Sequence, residues 1–118
     1  MNTEIMRDQL RSTDYADVVT GGKLPIPTPG DVLLEDFLNP MGISQYRLAQ
    51  AISVAPRRIN EIVLGKRAIT ADTALRLAAY FGTDAQSWLN LQTHYDIELA
   101  RESLKDVIPE IQQYSKVA

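Results

Sequence analysis

The sequence predicts an all-α fold of five helices, and three observations predict it. Apolar residues recur at three- and four-residue spacing from about residue 25 to residue 106, with no stretch of strand-like alternation. Capping residues, prolines and glycines fall at the ends of these runs. Two short helical patterns meet across Ser53-Val54-Ala55, the spacing of two helices joined by a tight turn.

Residues 1–24 read as an arm and linker. Ile5, Met6 and Leu10 suit one or two amphipathic turns, and TGGKLPIPTP, with two glycines and three prolines, then breaks any helix. The domain starts near Pro25. For the first helix, Thr28 is a cap, Pro29 suits the first helical position and Asp31 favours the positive helix end. Leu34, Phe37 and Leu38 form its inward stripe, and Pro40 and Gly42 stop it. The second helix opens at Ser44 and turns Leu48, Ala49 and Ile52 inward. The third begins at Pro56, buries Ile59, Ile62 and Val63, and ends at Gly65. The fourth starts at Thr70, with Ile69 stapling onto Ala74, and buries Ala74, Leu77, Ala78 and Phe81 before Gly82. The fifth opens on Thr83, with Gln86 three residues later as its capping-box partner. Trp88, Leu91, Tyr95 and Leu99 run down one face of it, and the helix continues to about Asp106. The resulting organisation is an arm and linker (1–24), a helix-turn-helix domain (25–106) and a tail (107–118).

At 118 residues and 45% hydrophobic content the chain supports one small core. It has no cysteine, so neither a disulfide framework nor a thiolate metal site is available, which fits a reducing cytoplasm. No apolar run approaches the roughly 20 residues of a membrane span, and the N-terminus does not read as a signal peptide. The one histidine, His94, has neither a cysteine nor a second histidine to join it, and no phosphate loop or paired-carboxylate motif occurs. These facts exclude the usual enzyme classes, and nothing in the chain calls for a cofactor.

Charge is distributed unevenly. The chain has net charge -3, yet residues 43–67 carry Arg47, Arg57, Arg58, Lys66 and Arg67 against Glu61 alone. Acidic segments lie on both sides of this positive one. A polyanion would seek such a patch, although a solvated basic helix face has the same composition.

Helical geometry sorts these residues. With Ile59 set at zero and 100° per residue, Ile62 and Val63 fall on the buried side. Arg57, Glu61 and Leu64 fall about 140–200° away, on the outward side. Arg57 and Glu61 therefore lie on the face, near the N-terminus, that a recognition helix pushes into the major groove. Arg57 suits a bidentate contact to guanine O6 and N7, and Glu61 suits cytosine N4. Asn60 suits a base or a phosphate, and Arg58, Lys66 and Arg67 suit phosphates. Gln45 and Arg47 suit the DNA backbone from the second helix. The same spacing also allows an Arg57–Glu61 surface ion pair, solvated loop cations and a core role for Trp88, Leu91 and Tyr95.

The stretch ISQYRLAQAISVAPRRINEIVLGKRAIT resembles the helix-turn-helix of the phage-repressor-like (XRE) family. PTPGDVLLEDFLNPMGIS and GKRAITADTALRLAAYFGTDAQSWLNLQTHYDIELA resemble its HigA-type antitoxins, with the likeness running from about Pro25 to Ala100. The resemblance implies a five-helix lambda-repressor-like helix-turn-helix bundle with a longer C-terminal helix. It implies a bacterial, cytoplasmic, nucleoid-associated homodimer that binds a palindromic double-stranded operator. It further implies a HigB/RelE-like mRNA-cleaving toxin as the protein partner, neutralised by the antitoxin, and repression of the shared operon. Gln45, Pro56, Arg57, Arg58, Asn60 and Glu61 fall where the family contacts DNA. Pro56 is a departure, standing where a Gln or Ser often reads a base. Asp14, Asp17, Glu98, Glu102 and Asp106 are candidate acidic contacts to a basic toxin. The competing readings are a stand-alone repressor of the same fold and an interaction module that no longer binds DNA.

Overall fold

The computed structural model describes residues 26–115, and those residues form five helices and no strand. Helix α1 is built of three continuous segments, Pro29–Val32, Leu33–Leu38 and Asn39–Met41. Thr28 and Asp31 form a reciprocal capping box. The Asp31 N–H donates to Thr28 Oγ1 (3.0 Å) and the Thr28 N–H donates to Asp31 Oδ2 (3.1 Å).

The middle segment is π-helical, and its last bond runs from the Asn39 N–H to the Leu34 carbonyl. This corrects two expectations. Pro40 does not stop the helix, because the widened turn before it accommodates the missing N–H and the ring; the helix runs on to Met41 and ends at Gly42. Leu33, absent from the predicted stripe, is fully buried with Leu38, whereas Leu34 and Phe37 are only partly buried. A π-turn stacks residues five apart, which brings Leu33 and Leu38 to one face.

Helix α2 spans Gln45–Ala51, and the Ser44 hydroxyl accepts from the Arg47 N–H (3.0 Å). Helix α3 spans Pro56–Val63 with proline at its first position. It ends as the glycine at 65 predicts. The Lys66 N–H bonds the Glu61 carbonyl (2.8 Å), the Gly65 N–H bonds the Ile62 carbonyl (3.0 Å), and Gly65 takes φ +78°. Helix α4 spans Ala71–Phe81, and α5 spans Ala85–Ser103, after which a turn leads to a 3-10 segment at Ile108–Glu110.

The start of α5 differs from the predicted capping box. Asp84 is the N-cap and accepts from the Ser87 N–H (3.1 Å). Thr83 Oγ1 instead accepts from Trp88 Nε1 (2.8 Å), and Gln86 pairs with Asn90. The Asp84 carboxylate, one residue later, meets the Ser87 N–H, which leaves the threonine hydroxyl to satisfy a part-buried indole. The helix ends at Ser103 rather than near Asp106.

Leu33, Leu48, Ile59, Ile62 and Leu77 form the centre of the core, all less than 2% exposed. Phe37, Phe81 and Trp88 close one side, with ring centroids 4.8–6.2 Å apart at tilted angles. Gly30 brings α1 against the backbone of α3. A Cβ on it would overlap the Ile62 carbonyl oxygen and stand 2.9 Å from Val63 Cα. In α5 only Trp88 is buried, while Leu91, Ile97 and Leu99 are exposed. Along the predicted face of α5, Trp88 is core, Tyr95 is half-buried, and Leu91 and Leu99 are exposed. The predicted arm, with Ile5, Met6, Leu10, Asp14 and Asp17, and residues 116–118 lie outside the described residues.

Candidate nucleic-acid interface

Helices α2 and α3 form the helix-turn-helix, joined through Ile52 to Ala55. Ser53 sits in the left-handed region with φ +60°, the one non-glycine among the described residues to do so. This turn is tied to α4. Arg76 Nη1 donates to the Ile52 carbonyl (2.7 Å) and the Ser53 carbonyl (3.4 Å), which satisfies the end of α2.

The outward face of α3 matches its helical-wheel assignment. Ile59, Ile62 and Val63 are buried, and the Arg57 side chain is 82% exposed. Arg57 Nε donates to Glu61 Oε2 at 2.8 Å, so the ion pair allowed by their spacing is formed. Arg67, from the loop after α3, donates to the other Glu61 oxygen through Nε (2.9 Å) and Nη2 (2.8 Å). Hydrogen bonds from Arg57 and then Arg67 hold the Glu61 carboxyl below its ordinary range. Asn60 Nδ2 donates to Gln45 Oε1 (2.7 Å) and links α3 to α2 across the same face.

Arg58, the expected phosphate contact on the flank of α3, is engaged within the chain. Its Nη1 donates to Asp72 Oδ1 (2.8 Å) and Thr73 Oγ1 (3.3 Å), both on α4. Asp72 also receives Arg76 Nε at 2.7 Å, and these bonds, from Arg76 first and Arg58 second, hold its carboxyl low. Pro56, Arg47 and Lys66 are exposed, and the Arg47 and Lys66 side chains make no ion pair among the described residues. Leu64 is exposed on the outward side, as its angle predicts.

Asp72, Thr73 and Arg76 were not among the candidates read from the sequence. The Asp72–Arg76 pair was visible as an i,i+4 spacing in ADTALR. The reach of both side chains to α2 and α3 required the packing of α4.

The face presents Arg57 and Glu61 with Asn60 beside them, unpaired cations from α2 and from the loop after α3, and a braced helix behind. Such a face can read base edges and hold phosphates. Among the described residues no group of His, Cys, Asp or Glu could hold a metal ion, and no helix is long and apolar enough to cross a membrane.

A family profile described as Helix-turn-helix matches residues 34–88, from α1 through Trp88. Virulence-associated protein I of Dichelobacter nodosus is 53% identical over 96 residues, spanning 77% of this chain and 89% of that protein. The structure of the Pseudomonas aeruginosa antitoxin HigA with the higBA promoter superposes with a TM-score of 0.71 at 38% identity, covering 75% of this chain and 97% of that one. The chain belongs to the HigA-type branch of the XRE helix-turn-helix family. A second structure, PA4674 of Pseudomonas aeruginosa in complex with 18 base pairs of its operator DNA, superposes on this HigA-type chain with a TM-score of 0.72. It is 41% identical over 76% of this chain and 97% of its own. The five-helix architecture is that of the HigA-type fold.

Proposed function

We propose that this protein is the antitoxin of a type II toxin–antitoxin system, acting in the bacterial cytoplasm at the nucleoid. It binds a palindromic operator as a homodimer, represses its own operon and neutralises a HigB/RelE-like mRNA-cleaving toxin. The observation that carries the DNA-binding part is the outward face of α3: an 82% exposed Arg57 held by Glu61 on the first turns of a braced recognition helix. The likeness to two promoter- or operator-bound proteins, at 38% and 41% identity, supports the same reading.

In this reading Arg57 forks onto a guanine, and Asn60 and Gln45 work as a linked pair at a base or phosphate. Arg47, Lys66 and Arg67 hold phosphates on the two sides, and Pro56 starts the helix and presents its neighbours. Residues 25–106 make the DNA-binding and dimerisation unit. One helix-turn-helix reads one half-site, and two half-sites stand about 10 base pairs apart, so an operator of 18 base pairs suits two copies. The exposed Leu91 and Leu99 of α5, eight residues apart and on one side of the helix, supply an apolar seam for the second copy. For the toxin, Asp106 is an acidic side chain with no partner among the described residues. Glu98 and Glu102 are paired with Arg101 (3.5 Å) and Lys105 (3.1 Å), which reduces their value as free acidic contacts.

Co-purification with the product of the adjacent reading frame, followed by footprinting on the upstream DNA, tests the proposal. The expected result is a stable complex with a small basic ribonuclease and a footprint of two half-sites with centres about 34–36 Å, or a multiple, apart. A footprint without a captured toxin makes the protein a stand-alone repressor. Equal binding to operator and random DNA removes sequence-specific readout. Arg57→Ala is expected to cost about 1–3 kcal/mol at the operator and to relax preference at one base pair, read by gel shift on single-substituted operators.

A further inference from the structure

Arg57 and Arg58 are neighbours in sequence, yet they lie on different sides of α3, and a carboxylate holds each one. Glu61 receives Arg57 on one oxygen and Arg67 on the other. Asp72 receives Arg58 and Arg76 on the same oxygen. Each carboxylate therefore bridges one arginine of α3 to one arginine from a different segment, and Arg76 carries the second bridge on to the turn between α2 and α3.

This arrangement separates two kinds of DNA contact. A phosphate recruits any mobile cation, whatever the sequence around it. A base edge needs a guanidinium at one place and one angle, since the forked contact is planar and directional. A carboxylate that fixes an arginine favours the second use and disfavours the first. It also places a negative charge near random phosphates, which repels them.

We propose that Glu61 and Asp72 are specificity-determining positioning residues of the DNA interface: Glu61 fixes Arg57 and Arg67 on the outward face, and Asp72 holds Arg58 back against α4. Together they withhold positive charge from non-operator DNA. In this role Glu61 aims an arginine and does not itself read a cytosine. The inference rests on the DNA-binding reading above.

The test measures binding of the full chain to its operator and to a random duplex of equal length, for wild type, Glu61→Gln and Asp72→Asn, between about 50 and 200 mM salt. For D72N the expected result is tighter binding to random DNA, with the slope of log K against log salt steeper by about 0.9, one added phosphate contact from the released Arg58. For E61Q random binding also tightens, and the operator-to-random ratio falls about five-fold or more, the discrimination of one forked base contact. Asp72→Glu keeps the charge and is expected to keep the wild-type slope.

Three results overturn the proposal. One is an unchanged operator-to-random ratio in both variants. Another is equal weakening on both DNAs, which would make the bridges mere scaffold. The last is an E61Q protein that keeps its ratio but changes its preferred base at one position, which would make Glu61 a base reader. If D72N does not fold by circular dichroism, E61Q alone decides, since Glu61 lies on the surface. A wild type without operator preference refutes the function reading instead, so the two failures are distinct.

Discussion

Replacing Gly30 with alanine reverses the usual sign of that exchange. In an exposed helix interior, Gly→Ala stabilises by about 0.8–1.0 kcal/mol. Gly30, however, is buried where α1 meets the backbone of α3. An added Cβ would overlap the Ile62 carbonyl oxygen and lie 2.8 Å from its carbon. Restoring ordinary contact with the carbon alone requires the helices to part by about 0.6 Å, and the oxygen requires more. Overpacking costs about 1–3 kcal/mol, with the upper end fitting a site whose neighbours are helix backbone and cannot swing aside. After the propensity gain is subtracted, a net loss of about 2 kcal/mol remains. For a domain of this size that lowers Tm by roughly 8–16 °C. Urea unfolding is the assay, with the midpoint falling at unchanged slope. A G30A protein as stable as wild type, or more stable, would refute the close-approach argument. Because α3 carries Arg57 and Glu61, operator affinity should fall with stability.

Thr83→Val leaves the Trp88 indole N–H without its acceptor, and it should cost about 1–3 kcal/mol in urea unfolding followed by the fluorescence of the single tryptophan. Ser53→Gly relieves the positive φ in the helix-turn-helix turn and should raise stability by about 0.5–1 kcal/mol in the same experiment, with operator binding retained. Glu61 has a folded-state pKa below its ordinary 4.5. Its contribution is therefore complete at neutral pH and is lost as pH falls through the depressed value. The stability difference between wild type and Glu61→Gln should be full near pH 7 and shrink as pH falls below the ordinary 4.5, as measured by thermal melts across pH.

Local chemistry made most of the fold legible. Thr28, Ser44 and Gly65 end their helices by hydrogen bonds that any chain with those residues could form, and Ile59, Ile62 and Val63 declare the buried side of α3 by spacing alone. The misses came where an interaction reaches beyond its own helix or departs from the α period. Leu33 was passed over because a π-turn changes which residues share a face, and nothing in LLEDFL announces the change. Thr83 was read as a cap because its other possible partner, the Trp88 indole, sits in the core. In the candidate interface, the residues of α3 were found because the wheel places them. The bonds from Arg58 to Asp72 and from Arg76 to Ile52 are not legible in the sequence, because the partners lie 14 or more residues apart and meet only once α4 packs on α2 and α3.

The solitary burial of Trp88 within α5 has a consequence for how the chain opens. A helix is protected from solvent exchange to the extent that its packing must be undone first. Within a single chain Trp88 and Leu89 tie the start of α5 to the core and Gln92 accepts from the Ile69 N–H (2.8 Å), while packing thins toward Ser103. Amide exchange should therefore quicken along α5 from Trp88 toward Ser103. If a second copy covers Leu91 and Leu99, that gradient should flatten as protein concentration rises. The end of this helix would then report how much of the protein is assembled.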